Sequence, residues 1–192
     1  MTSPSPLEPG LIYHIYNRGT NGENLFQSNG QFEYFLALYA RHVVPCCETL
    51  AYCLMPNHIH LAIQVRDGPN STTEKRNQGR RTSQVLGNLF NAYAKSINCT
   101  NKRTGSLFEH PFHRKPVLND AYLAKLISYI HLNPQRHEFV NDFRSWPWSS
   151  YIHLLEADHA WLSRDRVMTA FGDTTSFAAA HLVWTGCEPV NP

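Results

Sequence analysis

The stretch His58-Ile59-His60-Leu61-Ala62-Ile63-Gln64-Val65 alternates with a period of two, the signature of a strand with one face in an apolar core. Ile59, Leu61, Ile63 and Val65 fall on one face, and His58, His60, Ala62 and Gln64 on the other. Pro56-Asn57 is a turn signal ahead of it, and residues 49–55 (TLAYCLM) read as a second strand. Residues 11–18 (LIYHIYNR), aromatic and branched, read as a strand ending in the turn-prone Gly19-Thr20-Asn21-Gly22. Between them Phe32, Phe35, Leu36 and Tyr39 share one face of a helix over 31–43, closed by Pro45.

Downstream, residues 66–81 hold almost no apolar side chain and read as a loop. Thr82 or Ser83 can cap a helix to about Ile97, whose stripe is Val85, Leu89, Tyr93 and Ile97. A basic turn at 101–105 precedes strand segments near 106–108 and 112–117, which Pro111 and Pro116 confine to a sheet edge. Asn119 can cap a further helix with the stripe Leu123, Leu126, Ile127 and Ile130, stopped by Pro134. The order strand, helix, strand, strand, helix, strand, helix predicts an α+β fold, an antiparallel or mixed sheet with helices packed on one face. Residues 1–10 read as a Pro/Ser-rich arm, 11–142 as the domain, and 143–192 as a C-terminal helical tail packed on it.

The chain has 192 residues, 42% hydrophobic and 17% charged. That suits one soluble domain with a buried core and excludes a large multidomain enzyme. No apolar run approaches a membrane span and the first residues lack a signal-peptide pattern, so no membrane partner and a cytoplasmic location are expected. Five cysteines without a C-x-x-C spacing argue against a disulfide framework or zinc knuckle and read as inert thiols. The net charge of +2 conceals a basic centre: from Arg80 to Arg136, nine Lys/Arg stand against two acids, while the rest of the chain carries −5. Such a centre fits a polyanion held by phosphate contacts, or a solvated surface.

Two histidines at i and i+2 on one strand face lie roughly 6–7 Å apart, close enough to converge on one ion. The spacing alone also suits cupin-type oxidases and some hydrolases. Tyr129 and Asn133, four apart on the last helix, share a face with Lys125 one turn earlier. A tyrosine hydroxyl can attack a phosphodiester that a divalent cation polarises, and two imidazoles with an amide oxygen suit Mg²⁺ or Mn²⁺. Tyr129 can equally be a helix tyrosine packed on the sheet.

In combination, the segments Tyr13-His14-Ile15-Tyr16-Asn17-Arg18-Gly19, Met55-Pro56-Asn57-His58-Ile59-His60-Leu61, Gly105-Ser106-Leu107-Phe108, Tyr129-Ile130-His131-Leu132-Asn133-Pro134-Gln135-Arg136 and Trp146-Pro147-Trp148-Ser149-Ser150-Tyr151 resemble the single-tyrosine HUH transposases (His, hydrophobic, His), specifically the REP-associated tyrosine transposases. The likeness runs from about residue 11 to 151. It implies a ferredoxin-like antiparallel sheet, metal ligation by His58, His60 and Asn133, and Tyr129 as the nucleophile. It also implies Mg²⁺ or Mn²⁺ as cofactor and single-stranded DNA with hairpin structure as partner, cut through a 5′-phosphotyrosine link that leaves a free 3′-OH. Gln135-Arg136-His137-Glu138 departs from the more apolar family pattern of Val-Arg-Ala. On this reading Arg18, Arg80, Arg81, Lys95, Lys102, Arg103, Arg114, Lys115, Lys125 and Arg136 are DNA contacts, and exposed aromatics of the first strand or of 108–112 stack on bases. His14, on the first strand, could lie near the site but is read first as a packing residue, and the chain as a monomer or homodimer. Two other classes stand beside it, a hairpin-binding regulator without turnover and a cupin-like metalloenzyme.

Overall fold

Branched and aromatic residues form four strands, β1 (Ile12–Arg18), β2 (Cys47–Met55), β3 (His58–Val65) and β4 (His113–Val117). They lie in the order β2-β3-β1-β4, with every neighbouring pair antiparallel. α1 (Asn29–His42) connects β1 to β2, α2 (Thr72–Thr100) connects β3 to β4, and α3 (Asp120–Arg136) follows. This α+β arrangement is the expected ferredoxin-like one, and its open four-stranded sheet leaves no place for a cupin barrel. The computed structural model describes residues 6–67, 72–157 and 159–182, side chains of 72–76 excepted. Expectations for residues 1–5, 68–71 and 183–192, Cys187 among them, lie outside the described residues.

The period-two pattern of β3 sorts its side chains between two cores. Ile59, Leu61, Ile63 and Val65 join Phe35, Tyr39, Leu89 and Tyr93 from α1 and α2. Ala62, with Cys53 and Met55 of β2, packs against Leu123, Leu126, Ile127 and Ile130 of α3. The expectation of helices on one face therefore holds for α1 and α2 alone. α3 covers the other face because its stripe is as apolar as theirs, so the histidine face of β3 is roofed rather than open.

Other expectations differ as well. Residues 106–108 form no strand, only an isolated bridge from Phe108 to Gly19. Residues 72–81 are the first turns of α2, not loop. Their Thr, Glu, Lys, Arg and Gln residues permit a helix, and the lack of apolar residues among them does not forbid one. These turns are held from outside. Leu7 is fully buried, and its carbonyl passes so close to Gly79 that a Cβ there would lie 2.5 Å from the oxygen. Pro134 does not stop α3 but sits in its last turn, where only one helical hydrogen bond is lost before the end at Arg136. Asn119 caps this helix as expected, its Oδ1 accepting from Tyr122 N at 2.8 Å. Among the described residues no helix is long and apolar enough to cross a membrane.

The segment after α3 closes the outer edge of β2. Leu54 N donates to Trp148 O at 2.9 Å and Ser150 N to Tyr52 O at 3.0 Å, which gives the exposed ladder groups partners. Three short helices follow, α4 (Tyr151–Glu156), α5 (Arg164–Phe171) and α6 (Thr174–Leu182). Their Tyr151, Leu154, Val167 and Phe177 extend the α3 core.

A buried chain of hydrogen bonds ties α6 to this edge. Phe177 O can only accept, so His181 Nδ1, 2.7 Å away, is protonated. Neutral His181 then accepts at Nε2 from His131 Nδ1 at 2.9 Å, and His131 Nε2 accepts from Ser150 Oγ at 2.8 Å. Ser150 Oγ in turn receives Tyr52 N at 2.9 Å. Burial holds both rings below the ordinary imidazole value of 6.5, His181 at about 4. The unfolded chain takes up protons near pH 6.5, while folded His181 does not until about pH 4. The stability these rings contribute is therefore complete above pH 6.5 and is lost as pH falls toward 4, by up to about 1.4 kcal/mol per pH unit per ring. Thermal unfolding at pH 7, 6 and 5 should show a falling Tm, and a Tm independent of pH over this interval would show the rings already charged or solvated.

Candidate active site

The start of β3, the end of β1, the start of β4 and the last turns of α3 meet around a cleft of about 570 Å³. His58, His60, Tyr129 and Asn133 all line it, as do Arg18 and Arg136. Cross-strand register explains the gathering. Tyr16 of β1 lies opposite His60 on one side and His113 on the other, and Arg18 lies opposite His58. Gly19 carries the chain out of β1 so tightly that a Cβ would lie 2.0 Å from Glu23 O, and its N–H donates to Asn57 O at 2.8 Å. That contact fixes the β2–β3 turn, and with it the residue before His58.

α3 presses on this end of the sheet. Tyr129 is 4% exposed and His60 3%, with their rings edge-on at 5.5 Å. The His58 and His60 rings stand perpendicular at 5.2 Å. Burial keeps both imidazoles neutral, His58 with its pKa lowered to about 3 and His60 well below the ordinary value. Neutral rings keep a lone pair for a ligand. His58 Nδ1 faces Asn57 Oδ1 at 2.7 Å, so Nδ1 carries the proton and Nε2 the lone pair. His60 Nδ1 pairs with His14 Nε2 at 2.9 Å. When His60 is the donor in that bond, its Nε2 is likewise a lone pair.

Asn133 is fully buried, its Nδ2 donating to Tyr129 O at 3.0 Å. Its Oδ1 has no hydrogen-bond partner. A buried amide oxygen left bare costs about 1–3 kcal/mol, which a cation would recover. Among the described residues no three His, Cys, Asp or Glu side chains group as a metal site. The set here is instead two imidazoles and one amide oxygen, a donor mix that fits Mg²⁺ or Mn²⁺. Arg136 lies over the Tyr129 ring, 5.2 Å from its centroid, and Arg18 pairs with Glu109 at 3.1 Å at the rim.

No family model matches the chain. A Haemophilus influenzae protein named "Putative REP-associated tyrosine transposase" is 27% identical over 116 residues, 58% of this chain. The match spans 62% of that relative's own length. A solved structure, "Structure of the REP associates tyrosine transposase bound to a REP hairpin", superposes with a TM-score of 0.56, covering 81% of this chain and 85% of that one at 14% identity. In sequence and in fold, this chain is similar to the REP-associated tyrosine transposases.

The remaining basic residues read from the sequence as DNA contacts scatter. Arg80 and Arg81 are exposed on α2, as are Lys95 on the same helix, Lys102 in the following turn and Lys125 on α3. Arg103 pairs with Glu23. Arg114 points to the α2 side, where it donates to Ser83 Oγ at 2.8 Å and lies 4.4 Å from the Phe112 ring. Lys115 reaches over Tyr16 near the cleft, at 5.7 Å. The aromatics expected to meet bases, Tyr13, Tyr16, Phe108 and Phe112, are buried: Tyr13, Phe108 and Phe112 belong to the core under α1 and α2, and Tyr16 is stacked between His60 and His113 beside the cleft.

The sequence reading missed Asn57 and His137, which line the cleft. His14 is not among the lining residues, yet it is no plain packing residue, since it is bonded to His60. Its signal was its position two before Tyr16, on the strand face that pairs with the histidine face of β3. Asn57 stood beside the pair in sequence. His137, 4.6 Å from the His58 ring, occupies the stretch that departs from the family pattern. In metal-free protein, the His58 imidazole followed by NMR should stay neutral well below pH 5, whereas titration near 6.5 would show a water-filled site.

Proposed function

We propose that this chain is a REP-associated tyrosine transposase. It cuts and rejoins single-stranded DNA beside short palindromic hairpins through a covalent phosphotyrosine. The observation that carries the reading is the convergence of Tyr129, two neutral imidazoles and the bare oxygen of Asn133 on one cleft with arginines at its edge. The solved structure of the same fold is described as bound to a REP hairpin, and the same class of ligand is assigned here.

His58 Nε2, His60 Nε2 and Asn133 Oδ1 would hold Mg²⁺ or Mn²⁺, which supplies charge to polarise the scissile phosphate. Asn57 keeps the His58 tautomer that leaves Nε2 free, and His14 does the same for His60 when it accepts from His60 Nδ1. Asn133 does two things at once, its Nδ2 bracing the Tyr129 carbonyl while Oδ1 stays available. The Tyr129 oxygen attacks phosphorus and the bond to the 3′-oxygen breaks. The phenol's proton is lost and the leaving oxygen gains one, so a 5′-phosphotyrosine and a 3′-OH result. Arg136 and Arg18 face the charge on the phosphate oxygens. The reverse attack by a 3′-OH reseals the strand or joins another, which makes the enzyme a transferase as well as a nuclease.

Incubation with labelled single-stranded hairpins and Mn²⁺ should give a denaturant-resistant adduct that Tyr129→Phe abolishes while hairpin binding persists. An adduct on the Tyr129→Phe protein would overturn the nucleophile. His58→Ala should reduce cleavage at least about 100-fold and weaken Mn²⁺ binding in calorimetry, and unchanged Mn²⁺ affinity would remove His58 from the ligand set.

A further inference from the structure

Across the sheet, one register row carries His60, Tyr16 and His113 on neighbouring strands β3, β1 and β4. Strands lie about 4.8 Å apart, near the stacking distance of flat rings. The row accordingly forms a ladder. Tyr16 is stacked on His60 at 6.0 Å and 30°, and on His113 at 4.8 Å and 10°.

The two ends of this ladder differ. His60 is sealed under α3, whereas His113 is exposed at the sheet edge and lines the same cleft as Tyr129. No strand lies beyond β4 among the described residues. One face of the His113 ring is backed by Tyr16 and braced by the row behind it, and the residue is exposed where the sheet ends. A flat, pre-ordered ring at the end of a stack takes another flat ring, and it does so with little loss of side-chain freedom because the ring is already held. Lys115, two residues along β4, brings a cation over the same Tyr16 ring.

Resting on the transposase reading above, we propose that His113 is a base-stacking platform. It takes one unpaired nucleobase of the strand that enters the cleft and so sets which phosphate lies against Tyr129. This is the stacking role that the buried aromatics of β1 and of 108–112 cannot fill. His113 is a positioning residue, without contact to the reacting atoms.

The test uses the Tyr129→Phe protein, which leaves the strand uncut, and fluorescent DNA hairpins with a single-stranded flank in which each flank position in turn is abasic. His113→Ala should weaken binding about tenfold, the scale of one lost base stack. His113→Phe should restore it and His113→Lys should not, and the salt dependence should be the same for the His113, His113→Ala and His113→Phe proteins. One abasic position should lower affinity with His113 present and have no effect with His113→Ala. Equal affinities and identical abasic profiles for the His113 protein and His113→Ala would overturn the platform while leaving the transposase reading in place. No hairpin binding by the His113 protein would remove both.

Discussion

An imidazole taken out of water must find partners for its two nitrogens, and the site depends on how His60 meets that demand. Buried under α3 between two strands, it has one neighbour able to serve Nδ1, and that is His14 across the central pairing of β1 and β3. The bond requires both rings to be on the same face at adjacent register positions. A slip of either strand by one residue would turn one of them into the apolar core. The same register places Tyr16 beside His60 and Arg18 beside His58, so the geometry of the cleft and the packing of the core are set by one alignment.

α3 makes that alignment consequential. Its apolar stripe covers the histidine face and removes the water that would otherwise charge the imidazoles, while its last turns bring Tyr129 and Asn133 over them. The bare oxygen of Asn133 is the cost of this arrangement to the folded chain. The C-terminal helices stiffen α3 from behind, through Phe177 and through the directed hydrogen bonds from His181 to His131 and Ser150. Several of the eleven histidines thus fall into two buried groups, one at the cleft and one under the tail.

Much of this was legible in the sequence. The strand and helix order followed from periodicity, and the pair His58 and His60 from a single clean strand. Charge was less informative, since a count along the chain does not reveal that Arg114 faces α2 while Lys115 faces the cleft. Exposure was misread where aromatic residues stood near basic ones: Tyr16 and Phe112 are buried, and the exposed ring of the row is His113. The helical turns at 72–81 were hidden because nothing apolar marks them; the carbonyl of a distant Leu7, packed on Gly79, is what steadies them. His14 was underestimated because its partner lies 46 residues away, a contact that local pattern does not contain.

The closure of β2 has a consequence for how the protein is made. The groups that complete its outer edge come from Trp148, Ser150 and Ser163, whose N–H donates to Thr49 O at 2.8 Å, and the Tyr52–Ser150 bond spans 98 residues. While synthesis proceeds, β1, β2 and β3 can pair as soon as they emerge. The edge of β2 then stays open until nearly a hundred further residues have been added. For that interval the nascent chain carries an unpaired hydrophobic strand, and its earliest hazard is another copy of itself on the same message.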